Sequence, residues 1–182
     1  LVDVRGDVTF RDVTLTRGSA QYGGGLLVYS GGTAEIHAGE ISNCTAVEPG
    51  FGNAAGGAMY IDPGGSIKLH DSLILGCTVH NRLGGEARGG GGYVLGRAHL
   101  IATIVTECEA QSADRAKGQG GGFFVNAGVM LMSNTSALRS NSASGDGASL
   151  MVSSGVSTYS LPTPPGHWIA ASKCFVYRQA CP

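Results

Sequence analysis

Charge is scarce in this sequence and nowhere gathers. The 182 residues carry 12 Lys and Arg against 13 Asp and Glu, a net charge of -1 with His neutral. Without a basic cluster there is no electrostatic footprint for nucleic acid or for an anionic membrane surface. Long apolar runs are missing too, and none approaches the roughly 20 residues of a transmembrane helix. No glycine run is followed by lysine in the Gly-x-x-x-x-Gly-Lys spacing of a phosphate-binding loop. Apolar stripes at a 3.6-residue period, which helical repeats require, are likewise absent. The chain opens on Leu1 rather than Met and passes directly into strand-like sequence, Val8-Thr9-Phe10 and Val13-Thr14-Leu15. It therefore reads as a piece of a longer or processed protein, and a missing signal peptide says nothing about destination.

What the sequence has in excess is glycine, 31 residues, more than twice the usual share of roughly 7%. There is no strict Gly-X-Y period, which excludes collagen. With 42% hydrophobic and 14% charged residues, the chain is expected to pack rather than remain disordered.

The glycines belong to a repeat. Ile41-Ser42-Asn43-Cys44-Thr45-Ala46 aligns with Ile74-Leu75-Gly76-Cys77-Thr78-Val79 and with Val105-Thr106-Glu107-Cys108-Glu109-Ala110. Leu138-Arg139-Ser140-Asn141-Ser142-Ala143 fits the same frame with Asn in place of Cys. The cysteine position thus recurs after 33, 31 and 33 residues, and a weaker copy at Gly18 lies 26 residues before Cys44. Each unit opens on glycines: Gly23-Gly24-Gly25-Leu26, Gly56-Gly57-Ala58-Met59, Gly90-Gly91-Gly92-Tyr93, Gly120-Gly121-Gly122-Phe123 and a degraded Gly145-Asp146-Gly147. Alternating segments lie between opener and cysteine: Ala34-Glu35-Ile36, Ile67-Lys68-Leu69, Ala98-His99-Leu100.

Three short strands in a unit of about 30 residues, with period-2 alternation, form one coil of a solenoid. The fold class expected is all-β: a right-handed, single-stranded parallel β-helix of about five coils over residues 1–159, with three parallel sheets. A Pro-rich segment, 160–182, follows as cap or junction. Stacking places equivalent residues in columns. Ile41, Ile74, Val105 and Leu138 should form one buried column, and Ala46, Val79 and Ala110 another. Glu35, Lys68 and His99 should form an outward ladder of mixed charge, with His37 stacked on His70.

The repeat resembles those of polymorphic outer-membrane proteins and of the wider pectin-lyase-like β-helix superfamily. Gly56-Gly57-Ala58-Met59 matches the Gly-Gly-Ala-Ile-like opener of that family, and Leu138-x-x-Asn141 the Phe-x-x-Asn half. Cys44, Cys77 and Cys108 stand where the family carries Asn, a departure associated with similar repeats in very large secreted or surface proteins of eukaryotic microbes such as algae. The tail from Ser160 to Trp168, followed by Cys174 and Cys181, looks like the junction before a Cys-rich, ephrin-receptor-like region in such proteins. The resemblance implies an extracellular or cell-surface location. It implies little about function, because β-helices host lyases, hydrolases, adhesins and inert spacers alike.

The expected role is a structural or adhesive module of a larger assembly, not an enzyme. Its partners would be other proteins or neighbouring repeats, with glycans as a further class. No catalytic, cofactor-binding or metal-ligating set is expected. Cys44, Cys77 and Cys108 read first as a column of free, buried thiols, since free Cys behaves as a small hydrophobe. A disulfide between neighbours stays open, although Cβ atoms near 5 Å are slightly too far apart for one. In a secreted chain Cys174 and Cys181 read as a disulfide. Asn43-Cys44-Thr45 and Asn134-Thr135-Ser136 make Asn43 and Asn134 candidate glycosylation sites. Asp62, Asp71 and Asp146 are read as turn and bend residues, not calcium ligands. The threonines form no regular column for ice binding. The rival reading is a polysaccharide lyase or hydrolase whose groups Glu48, Glu86, Arg88, Asp114 and Arg115 come from loops 47–55, 80–89 and 111–119, gathered along one edge.

Overall fold

The computed structural model describes residues 1–50, 52–133 and 135–159. It is a parallel β-solenoid of about four turns, almost without helix. Every strand pairing is parallel and joins a residue to its equivalent one turn away. The segment 160–182, with Trp168, Cys174 and Cys181, lies outside the described residues, and so does Asn134.

The columns form as their spacing requires. Leu15, Ile41, Ile74, Val105 and Leu138 pair in sequence along one sheet, and Ala20, Ala46, Val79, Ala110 and Ala143 along the next. A third inward column runs Val4, Val28, Ile61, Val94, Val125 and Val152. All members of this third column are buried. Strictly alternating burial, as in Ser66–His70, keeps one face dry and the other wet.

The turn is more elaborate than three strands. The residues after each glycine opener are themselves strands, Leu26–Val28, Met59–Ile61 and Gly92–Val94. The corner loops contribute the two-residue strands Ala54–Ala55, Ala87–Arg88 and Gly118–Gln119, which stack as a sheet of their own. The opener strands and the Thr33–His37 family join into one ten-stranded sheet through Phe123–Met132, which pairs with both Gly92–Val94 and Arg97–Ile101. Among the described residues there are thus four sheets where three were expected. The fifth unit, beyond its opener, continues as Leu150–Tyr159 against Phe123–Met132.

The expected opener register is corrected in two units. Leu26, Met59, Gly92, Phe123 and Leu150 share one column. The left-handed corner glycine is therefore Gly89, not Gly90, in the third unit, and Gly147, not Gly145, in the fifth; their φ values are 70° and 68°. The misleading residue was Gly92. A Cβ there would lie 2.3 Å from the Phe123 ring, so the side chain of the next turn occupies the space. The second glycine of the first four openers is fixed by backbone. A Cβ on Gly57 would stand 2.2 Å from the Gly90 carbonyl oxygen, and one on Gly90 would stand 2.4 Å from that of Gly121.

Candidate functional site

Two bends in each turn place a residue in left-handed conformation. At the first bend these are Asp12, Ala38, Asp71 and Ala102; at the second, Arg17, Asn43, Gly76, Glu107 and Ser140. The N–H that follows such a bend turns inward and needs an acceptor. At the second bend the acceptor is the side chain one turn on. Cys44 N–H donates to Cys77 Sγ at 3.4 Å, and Cys108 N–H to Asn141 Oδ1 at 2.9 Å. The other end of each side chain bonds back: Cys77 Sγ–H donates to the Ile41 carbonyl at 3.6 Å, and Asn141 Nδ2 to that of Val105 at 3.1 Å. Thiol and amide therefore do the same job, which accounts for Cys at a position where Asn also fits. Ser72 and Ser136 repeat the device at the first bend, accepting from Gly39 N–H and Thr103 N–H, while the Thr103 hydroxyl donates back to the Leu69 carbonyl.

The three cysteines are free and wholly buried. The hydrogen bond to Cys77, then burial, pushes the Cys44 thiol far up. Cys77 is pushed up to about 12 by its hydrogen bond to Cys108, against a lowering from Cys44, with burial adding to the rise. Cys108 shifts the other way, lowered by its hydrogen bond with Cys77 against the effect of burial, and it is complete burial that keeps all three thiols from reagents in solution.

The three corner loops stack at one corner through their two-residue strands, and their carboxylates Glu48, Glu86 and Asp114 are engaged locally. Glu48 binds the Gln21 amide and accepts from Gly50 N–H at 2.8 Å. Its column neighbours Asn81 and Ser112 organise the next loops: Asn81 Oδ1 accepts from Gly85 N–H at 2.8 Å, and Ser112 donates to the Gly85 carbonyl at 2.7 Å. Glu86 pairs with Arg88, whose guanidinium lies 4.9 Å from the Phe124 ring centroid. Asp114 caps the 3-10 turn Arg115–Lys117 and pairs with Lys117 at 3.2 Å. Arg115 borders an open groove of about 500 Å³ with His80, Arg82, Glu109 and Gln111. Beside the corner runs an aromatic ladder, Tyr60, Tyr93 and Phe124, with centroids 5.1 and 5.5 Å apart. Burial raises the Tyr60 phenol to about 12.

On the outer face of the main sheet the expected ladders are present: Glu35 beside Lys68 and Lys68 beside His99, with His37 beside His70. The His37 and His70 rings stack at 4.5 Å and 9°. Glu35 does not turn to Lys68, however. Its Oε1 lies 3.0 Å from His37 Nε2 and 3.2 Å from His70 Nε2. The sequence reading missed this convergence because it treated the two columns separately. The signal was a Glu-x-His pair on one strand with a second His one turn on. Asn43 projects outward, exposed, at φ 52°.

Fold and columns together define a parallel β-solenoid. No family model, curated protein or solved structure matches the chain.

Proposed function

We propose that this chain is a right-handed β-helix of the pectin-lyase-like, outer-membrane-protein-repeat kind, serving as a non-catalytic structural or adhesive module of a larger secreted or surface assembly. The observation that carries the reading is that each turn covers the apolar face of the next through unbroken columns. In the first described turn the inward residues Val8, Phe10 and Leu15 are only partly buried, whereas their equivalents Ala34, Ile36 and Ile41 are buried. The strands Asp7–Arg11 and Thr14–Thr16 are the outermost members of their sheets among the described residues. A further β layer laid on that turn, from this protein or from another molecule, would cover it. The local pairing of Glu48, Glu86 and Asp114 supports the same reading, because each carboxylate already has a structural task.

Sedimentation tests the stacking. The chain is expected to self-associate reversibly with rising concentration, and Phe10→Lys with Leu15→Lys is expected to abolish this while keeping the circular dichroism of the wild type. A monomer at several hundred micromolar would refute it.

The second reading, a carbohydrate-active solenoid, is favoured by the groove around His80, Arg82, Glu109 and Arg115. Under the structural reading no unsaturated oligosaccharide is released from pectate or alginate, with or without calcium. Release that Glu109→Gln, Glu86→Gln or Asp114→Asn abolishes would establish the enzyme instead.

A further inference from the structure

We propose that Glu35, His37 and His70 form a binding site for a divalent transition ion of borderline softness, Zn²⁺ above all, which clips two successive turns together. Glu35 and His37 lie two residues apart on Thr33–His37 and so share its outer face; His70 is the register partner of His37 on Ser66–His70. One ligand atom from each lies within 4.8 Å of the others. The Oε1 separations of 3.0 and 3.2 Å are near those of adjacent ligands around an ion with bonds of about 2.1 Å. The remaining edge, Nε2 to Nε2, closes by a tilt of two rings now 9° from parallel. Two imidazoles and a carboxylate supply three protein ligands and leave a position for water or for a donor from another molecule.

The polar accounting points the same way. His70 Nε2 is buried and makes no aligned hydrogen bond, although the carboxylate lies beside it. His37 Nε2 stands at hydrogen-bond distance from Glu35 Oε1, which leaves His70 Nε2 as the ring nitrogen without an aligned partner. A cation held between the three atoms supplies that partner. Lys68 and Arg11 stand next to Glu35 and His37 in the neighbouring strands, but both are exposed, and Glu35 takes the two imidazoles as its ion-pair partners. At the surface their repulsion of the ion is screened by salt.

Calorimetric titration of the reduced chain with Zn²⁺ alone tests the site. One ion per chain is expected, and His37→Ala, His70→Ala or Glu35→Gln should each weaken binding at least about tenfold. The double variant His80→Ala/His99→Ala should bind as the wild type does. Zinc should raise Tm in the wild type and not in His37→Ala, whose metal-free Tm and circular dichroism report its folding. Co²⁺ should give visible bands without a sulfur-to-metal charge-transfer band, which separates this site from the cysteines. No uptake at millimolar Zn²⁺, uptake that survives His37→Ala, or a thiolate band would each overturn the proposal.

Discussion

At the scale of single residues, the solenoid depends on side chains that satisfy the backbone where its ladder bends. Cys77 is the clearest case, since its sulfur both accepts from Cys44 N–H and donates to the Ile41 carbonyl. Cys77→Ala leaves that N–H buried without a partner and opens a small void, so a loss of about 1–3 kcal/mol is expected in urea unfolding. Cys77→Asn should recover most of the loss, because Asn141 performs the same pairing one turn beyond Cys108. Native protein should resist alkylation at all three thiols, and rapid labelling would contradict their inward placement. The pH dependence follows from the direction of the shifts. A thiol whose folded value is raised from 9.0 to about 12 binds its proton more tightly folded than unfolded. Its contribution is complete below pH 9 and is lost between pH 9 and 12. Stability should then fall by on the order of 1 kcal/mol per pH unit for such a thiol, and the Cys77→Asn variant should show a shallower alkaline decline.

At the scale of the element, the glycine openers are where two turns touch backbone to backbone. Gly57→Ala or Gly90→Ala drives a methyl group into the carbonyl of the next turn. With nothing flexible to give way, each should cost about 3 kcal/mol or more in urea unfolding, or prevent folding. Wild-type stability in either would show that the openers separate. Much of this architecture was legible because the cysteine frame recurs at nearly constant spacing, and a solenoid turns sequence spacing into stacking. Gly92 misled the third opener, since a run of four glycines carries no internal register; the Phe123 ring that fixes it belongs to another turn. The strands Ala54–Ala55 and Ala87–Arg88 were invisible because two residues show no alternation and form only by stacking. For the outer face, each ladder was readable alone, but the meeting of Glu35 with both imidazoles depends on side-chain direction across two columns, which spacing does not encode.

At the scale of the whole molecule, the interior is a set of continuous columns rather than a central knot of contacts. A turn meets its two neighbours and no others, so stability should grow stepwise with turn number. Left-handed corners at Gly23, Gly56 and Gly89 are followed by Gly24, Gly57 and Gly90 in equivalent places. Excision of residues 57–89 would therefore join Gly56 to Gly90 without disturbing a column, and Cys44 would meet Cys108 across the new contact. The product should be a folded solenoid one strand spacing shorter, about 4.8 Å, whereas removal of ten residues within the same stretch should destroy it. Length in this protein is thus a quantised variable: gain or loss of a complete repeat resets the reach of the rod and leaves its cross-section unaltered.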